Sequence, residues 1–379
     1  MPVAKAPMRV GLDISPLAGH RTGVGTFCFH LARHLLRLNT GMVFLGFSSG
    51  LRRVDLTELD GLSDRRHIPI PTRAVYRLWS SLGIPRVDSY LGGVDVFHAT
   101  NYFLPPVRRA RRVLSIYDLA FLRYPELGSP KIVGVFSREI AAFARQADAV
   151  VTCSESSRND LVELLGVPPE RIHVTYGGVN DDFCEPARDD AAALLERRYG
   201  IRGPFLLFVG TIEPRKNVAG LLRAYARVAP DYPHALVLVG EKGWRVETLF
   251  AVIKGLTLEN RVMLTGFVPR SDLPAFYAAA DAFVFPSYYE GFGLPILEAF
   301  AAGCPVIAAD RSSLPEVVGD AGILVNPEDE DALAETVRRV IEDAALRDSL
   351  SRKGKVQAAR FTWEETARIT ADLYRRLAA

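Results

Sequence analysis

Short apolar runs alternate with amphipathic stretches along the whole chain. In the first half the apolar runs are "MRVGLDI" (Met8 to Ile14), "MVFLGFS", "VDVFHAT" (Val94 to Thr100), "RVLSIYD" (Arg112 to Asp118), "DAVVTCS" (Asp148 to Ser154) and "RIHVTYGG". Amphipathic segments such as "GVGTFCFHLARHLLRL" and "VGVFSREIAAFARQA" lie between them. Continuous apolar strands separated by helices predict a parallel sheet covered on both faces. The pattern then restarts with strand "PFLLFVG", helix "NVAGLLRAYARVA", strand "ALVLVG" and helix "RVETLFAVIKGL", and continues through "RVMLTGFV", "DAFVFPS", "PVIAAD" and "AGILVN". This second half reads as a complete doubly wound unit. The segment "VNDDFCEPARDDAAALLERRYGIRG" between the halves is polar, acidic and without strand signals. The expected organisation is an N-terminal domain over residues 1–186, a linker over 187–203, a C-terminal domain over 204–361, and a last helical segment over 362–379 that could cross back to the first domain. No tandem repeat of solenoid length is present.

A chain of 379 residues exceeds the usual size of one hydrophobic core, in keeping with two domains. Apolar residues at 49% and charged residues at 24% describe a globular protein and exclude a largely disordered one. The net charge of +2 points to no polyanion, and nucleic acid is not an expected partner. The basic run "VRRARRV" (Val107 to Val113) reads either as a solvated face or as a phosphate or lipid-surface contact. Cys28, Cys153, Cys184 and Cys304 show no metal-ligand spacing and read as buried reduced thiols. The start "MPVAKAPMRVGLDIS" lacks the apolar core of a signal peptide, and no run of about 18 apolar residues occurs, so the expected location is cytoplasmic. The stretch "AVYRLWSSLGIPRV" (Ala74 to Val87) mixes aromatic and basic residues. It is either an amphipathic helix packed on its own domain or a peripheral contact with the inner face of a membrane.

In open α/β sheets ligands bind beyond the carboxyl ends of the strands, and two such sheets facing each other would enclose a cleft. Residues just after strands are therefore the candidates for chemistry. "TIEPRKN" follows strand "PFLLFVG" and places Arg215 and Lys216 ahead of a helix, with Asn217 able to cap it. Two cations at a helix N-terminus suit phosphate, and two solvated loop cations suit the pattern equally well. "GHRTGVGTF" puts Gly23 and Gly25 before a helix, where backbone can approach a ligand, but it is not a dinucleotide fingerprint because Cys28 stands where the third small residue belongs. His98 and Asp118 close strands "VDVFHAT" and "VLSIYD". A structural histidine fits that position as well as a functional one. No HExxH, GxSxG or Walker loop and no metal-spaced acid cluster is present, so metal sites and a serine nucleophile are not expected. In "YYEGFGLPILEAFAAGCPVIAAD", Pro295 marks a helix start, and Gly303 with Pro305 marks its stop, predicting a helix over roughly Leu294 to Ala302. Glu290 then stands in the entering loop and Glu298 in the early turns among apolar neighbours.

Glu290 and Glu298 in "EGFGLPILE" resemble the paired-glutamate signature of the retaining GT-B glycosyltransferases, specifically the large family 4 group. "GTIEPRKN", beginning at Gly210, is similar to that family's diphosphate-binding loop, "TGVG" to its N-terminal glycine loop, and His98 to its strand-end histidine facing the donor sugar. The match covers nearly the whole chain. "VDVFHATNYFLPP" and "SIYDLAFLRYPE" look like bacterial mannosyltransferases of cell-envelope polysaccharide assembly.

The resemblance implies two Rossmann-like doubly wound domains facing across a cleft, and transfer of a hexose from a nucleotide sugar to a saccharide or lipid-linked acceptor. It implies a retaining reaction without a metal or other cofactor, Arg215 and Lys216 taking the metal's place at the diphosphate. Glu298 would accept hydrogen bonds from ribose hydroxyls and Glu290 would face hydroxyls of the hexose. Gly291, Phe292 and Gly293, with Leu294 beside them, would offer backbone to the sugar and phosphate, and the base would lie near Gly266, Phe267 and Val268. His98 is read as a polar contact to the hexose rather than a base, and Asp118 as a support for the acceptor hydroxyl. GDP-mannose is the expected donor from the subgroup likeness, with a UDP-sugar, an ADP-sugar or another GDP-hexose as the alternatives. The alternatives are a nucleotide-sugar epimerase of the same fold and a non-catalytic nucleotide-sugar-binding protein.

Overall fold

A computed structural model describes residues 6–19, 23–55, 57, 59–128, 130–179, 181–183 and 187–379. The chain divides into two compact units. The first comprises Met1–Leu122, Lys131–Gly177 and Trp363–Ala379, and the second Arg123–Pro130 and Gly178–Thr362.

The first unit is built on a seven-stranded sheet of β1 (Arg9–Asp13), β2 (Val43–Ser49), β3 (Asp64–Ile68), β4 (Val96–Ala99), β5 (Arg111–Ser115), β6 (Ala149–Thr152) and β7 (Ile172–Val174), in the order β3-β2-β1-β4-β5-β6-β7. Every pairing is parallel. β4 and β6 are buried at every position, as a sheet covered on both faces requires. β3, "DRRHI", was not legible as a strand. Its Asp64, Arg65 and Arg66 are exposed, and it lies at the sheet edge, where charged side chains discourage further pairing. The helix Thr72–Leu82 buries Val75 and Trp79 and stacks Tyr76 on Phe103 at 3.9 Å between ring centroids, so its aromatic face packs on its own unit. Leu82 and the nearby Ile84 remain exposed. The last helix, Trp363–Ala378, belongs to this unit and sets Trp363 against Phe27 and His30 of the helix Gly23–Arg37.

The second unit carries a six-stranded parallel sheet of β8 (Phe205–Val209), β9 (Ala235–Val239), β10 (Val262–Gly266), β11 (Ala282–Phe285), β12 (Val306–Ala309) and β13 (Ile323–Val325), in the order β10-β9-β8-β11-β12-β13. Each of these strands falls on an apolar run of the sequence. The expected linker at 187–203 is instead largely a helix, Arg188–Tyr199, within this unit. Ala191 and Leu195 are its buried positions, Tyr199 packs on Phe276 with ring centroids 5.0 Å apart, and Arg198 donates to Asp272 at 2.6 Å. So narrow an apolar stripe on a charged helix reads as a spacer, and the chain enters the second unit at Gly178, ahead of the expected 186 boundary.

Cys28, Cys153 and Cys304 are buried free thiols, and Cys184 lies outside the described residues. Burial pushes the Cys28 thiol up to about 12. Among the described residues, no helix is long and apolar enough to cross a membrane.

Candidate active site

The loops at the carboxyl ends of β8 and β9 approach each other closely enough to demand glycine. A Cβ built on Gly240 would stand 2.1 Å from the Gly210 carbonyl oxygen, and both glycines have positive φ, 145° and 152°. After β8 the chain makes a helical turn, Pro214–Lys216, and leaves it through Asn217 in the left-handed region, φ 53°. The Asn217 Oδ1 accepts from the Gly220 N–H at 3.2 Å, capping the helix Val218–Ala226, while its Nδ2 donates to the Pro327 carbonyl at 2.8 Å. This buried double anchor sets the direction in which Arg215 and Lys216 project.

Both cations converge on Glu290, in the loop between β11 and the helix Leu294–Ala301. Lys216 Nζ donates to Glu290 Oε1 at 2.5 Å, and Arg215 Nη1 donates to Oε2 at 3.1 Å. Arg215 also donates to the Tyr289 carbonyl at 2.6 Å and to Glu213 at 2.7 Å. The loop is held from behind by the Ser312 Oγ, which accepts from the Glu290 N–H at 2.9 Å, and by the Ser313 hydroxyl, which bridges the carbonyls of Glu290 and Phe292. Glu290 is only 7% exposed. Burial alone would raise its pKa, but the charges of Lys216 and Arg215 and the hydrogen bond from Lys216 outweigh that and hold the carboxyl below its ordinary value. Lys216 is lowered by burial, with Glu290 opposing the shift, and its ammonium lies 5.0 Å from the Phe285 ring centroid. Glu213 and Glu290 together balance Arg215 and Lys216, so the cluster is electrically neutral.

Glu298 lies within the helix Leu294–Ala301, is 8% exposed, and has a different shell. The Tyr277 hydroxyl donates to Oε2 at 3.0 Å, Arg270 Nη2 stands 3.3 Å from Oε1, and the Arg270 guanidinium lies 5.1 Å from the Phe183 ring centroid. Here burial dominates and raises the carboxyl above its ordinary value, with Arg270 and Tyr277 opposing it. Gly293 precedes the helix at φ 118°, where a Cβ would meet Leu314 at 3.1 Å. Gly291 and Phe292 are buried, Phe292 against Phe361 with ring centroids 5.8 Å apart, and Leu294 opens the helix half-buried. At the end of β10, Gly266 takes φ 69° and its carbonyl accepts from the Gly240 N–H at 2.9 Å. Phe267 is 57% exposed beside it, and Val268 is buried.

In the first unit the candidates are placed differently. His98 is fully buried, Nδ1 is 2.6 Å from the Tyr374 hydroxyl and Nε2 2.8 Å from the Ser115 hydroxyl. Burial lowers its pKa to about 3, so the ring is neutral, and the expected hexose contact gives way to a core role. Asp118 Oδ1 accepts from the Ala120 N–H at 3.0 Å, turning the chain into the helix Ala120–Arg123. That geometry marks a helix start. Gly23 and Gly25 lie within the first turn of the helix Gly23–Arg37 and not in the loop before it, the first with open space where a Cβ would stand and the second buried. Sequence reasoning assigned no role to Glu213, Arg270, Tyr277, Ser312 or Ser313. Glu213 lies inside the quoted loop motif, whereas the other four reach the glutamates only through the fold.

Comparison with known proteins gives two family matches, to Glycosyltransferase Family 4 over residues 21–183 and to Glycosyl transferases group 1 over residues 197–357. The chain is 35% identical over 286 residues to O-antigen chain mannosyltransferase B of Escherichia coli, covering 74% of each. Among solved structures it is similar to sucrose-phosphate synthase from Thermosynechococcus elongatus, with TM-score 0.78 and 23% identity over 98% of this chain and 99% of that one. It is also similar to Anabaena Alr3699/HepE in complex with UDP and glucose, with TM-score 0.74 and 21% identity over 97% of this chain and 99% of that one.

Proposed function

We propose a function from one established premise: this chain belongs to the family 4 and group 1 glycosyltransferases, whose GT-B fold it shares. We infer that it moves a hexose from a nucleotide sugar to a saccharide or lipid-linked acceptor, with mannose from GDP-mannose as the donor. The 35% identity to an O-antigen mannosyltransferase supports the sugar. The observation that carries the reading is the buried Glu290 gripped by Arg215 and Lys216 at the strand ends.

Breaking a sugar–diphosphate bond develops negative charge on the phosphate and oxocarbenium character on the sugar. Arg215 and Lys216 are the groups that would meet the first, by the same logic that stabilises oxyanions. A charge-assisted hydrogen bond is worth roughly 1.5–3 kcal/mol. Losing one cation would therefore slow transfer by about ten- to a hundredfold. Glu290 presents its carboxylate toward the hexose while holding both cations in register. Glu298, with Arg270 and Tyr277 beside it, takes the ribose hydroxyls, and backbone N–H groups of Gly291 to Gly293 take the sugar and phosphate. In this reading the reaction retains the anomeric configuration, and the two cations serve where a metal ion otherwise would, with no cofactor. His98 and Asp118 have no part in it.

A thermal-shift screen of GDP, UDP and ADP with their sugar conjugates, in EDTA, tests the reading. Binding to the native state alone raises the melting temperature. A shift with GDP and GDP-mannose supports the donor and the absence of a metal. No shift with any nucleotide, before or after adding magnesium or manganese, overturns it. Conversion of a nucleotide sugar without any acceptor would select the epimerase reading instead.

A further inference from the structure

The basic run "VRRARRV" takes no part in the site described above, and the fold places it at the other end of its sheet. Arg9 and Arg111 stand at the first positions of β1 and β5, and the cleft they line lies at the amino ends of β1, β4 and β5. Substrates of open α/β sheets gather at the carboxyl ends. This cleft, about 730 Å³ in volume, also takes in Arg108 and Arg109.

The loop that carries these arginines is held by a buried carboxylate. Asp88, 3% exposed, accepts from the backbone N–H groups of Arg108 at 2.8 Å, Arg109 at 2.7 Å and Ala110 at 3.3 Å, and its other oxygen accepts from the Ser89 N–H at 2.8 Å. Burial raises the Asp88 pKa, but those four backbone donors outweigh it and hold the carboxyl below its ordinary value. The carboxylate is thus committed to backbone hydrogen bonds and forms no ion pair with the guanidinium groups. Asp95 is engaged too, accepting from the Arg9 N–H at 2.7 Å. The Arg9 side chain is fixed across the rim by donation from Nε to the Gly93 carbonyl at 2.7 Å. Arg108 and Arg109 are exposed, and among the described residues neither side chain has a hydrogen-bond or ion-pair partner.

We propose that this cleft binds a phosphate-bearing anion, with the Arg108 and Arg109 guanidinium groups as its ligands. Neighbouring like charges repel unless an anion lies between them, and the planar fork of arginine matches phosphate oxygens in pairs. A buried aspartate fixes the backbone from which both side chains reach out. The anion is either free in solution or the headgroup of a lipid. The inference does not rest on the proposed function.

Titration calorimetry with inorganic pyrophosphate, on wild type and on Arg108→Glu/Arg109→Glu, tests it. The double substitution touches exposed, unpartnered side chains, so folding should survive. Because pyrophosphate can also visit Arg215 and Lys216, Lys216→Ala is titrated alongside. Loss of a binding event, or weakening of about tenfold or more, in the double variant but not in Lys216→Ala is the expected result. Sedimentation with phosphatidylcholine vesicles, with and without phosphatidylglycerol, identifies the source. If the headgroup is the ligand, wild type sediments with the anionic vesicles at low salt and the double variant does not. A response to either probe that the double variant loses supports the cleft. Equal behaviour of wild type and double variant, or no response of wild type to either probe, overturns it. Loss of binding in Lys216→Ala alone would speak to the donor site and count against the cleft.

Discussion

At the carboxyl end of β4, His98 is fully buried and spends both ring nitrogens on Tyr374 and Ser115. In the loop after β11, Glu290 is almost as deeply buried but stays charged, because Arg215 and Lys216 reach it from the turn after β8. Both are polar groups beside strand ends, where ligands of α/β sheets collect. The histidine is neutral and its hydrogen-bonding capacity is used up by its own unit. The glutamate is part of a balanced charge cluster, and in the proposed function an arriving diphosphate reorganises it. Position at a strand end therefore does not identify a functional side chain, whereas a buried charge matched by converging cations is a stronger sign.

The contrast predicts that the two clusters fail differently. The largest effect is expected for Lys216→Ala, which leaves Glu290 buried with half its compensation. Breaking a buried pair in this way costs about 3–5 kcal/mol, read from urea unfolding, and transfer should fall about a hundredfold. His98→Ala should lose about 2–4 kcal/mol by orphaning two buried hydroxyls and leaving a cavity, while the folded fraction keeps wild-type kcat. Loss of kcat in His98→Ala with stability intact would return the histidine to the active site.

Proton linkage separates the same groups. The folded state binds fewer protons than the unfolded chain at His98, whose pKa falls from 6.5 to about 3, so stability should decline as pH drops through that interval. Glu290 acts in the same sense at lower pH, because its depressed carboxyl stabilises the fold only while ionised. Glu298 acts in the opposite sense. Its raised pKa means that the folded state holds the proton more tightly, so its contribution is lost as pH rises above the ordinary carboxylate range. Melting temperatures from pH 5 to 8 should therefore rise for Glu298→Gln relative to wild type toward the upper end. An unchanged difference across that range would remove the contrast between the two glutamates. The smallest effect is expected in affinity. Glu290→Gln frees Arg215 and Lys216 from a competing carboxylate and should tighten nucleoside diphosphate binding by about threefold to tenfold, even as turnover falls. Weaker binding would mean that Glu290 organises the cations more than it competes for them.

The second unit was more legible than the first for reasons visible in particular residues. Its six strands coincide with apolar runs, β8, β11 and β12 being buried at every position, and Glu290 and Glu298 stand before and within a helix that a proline and glycines mark in the sequence. β3 escaped because three of its five residues are exposed and charged, as an edge strand tolerates, and it is paired only to β2. The helix Arg188–Tyr199 escaped because two buried side chains make too thin a stripe to detect. His98 was misread because its partners, Tyr374 and Ser115, come from segments 276 and 17 residues away. Arg270 and Tyr277 reach Glu298 in the same way, through packing that no local pattern records.

The return of the helix Trp363–Ala378 to the first unit bears on how the protein is made. During synthesis the seven-stranded sheet leaves the ribosome long before that helix does, and the second unit is translated in between. Until the last residues emerge, His98 lacks the Tyr374 hydroxyl and the helix Gly23–Arg37 lacks its cover from Trp363. The first unit to be translated is thus the last to be completed. A nascent chain stalled before Trp363 should hold a protease-resistant second unit beside a first unit that is still digestible.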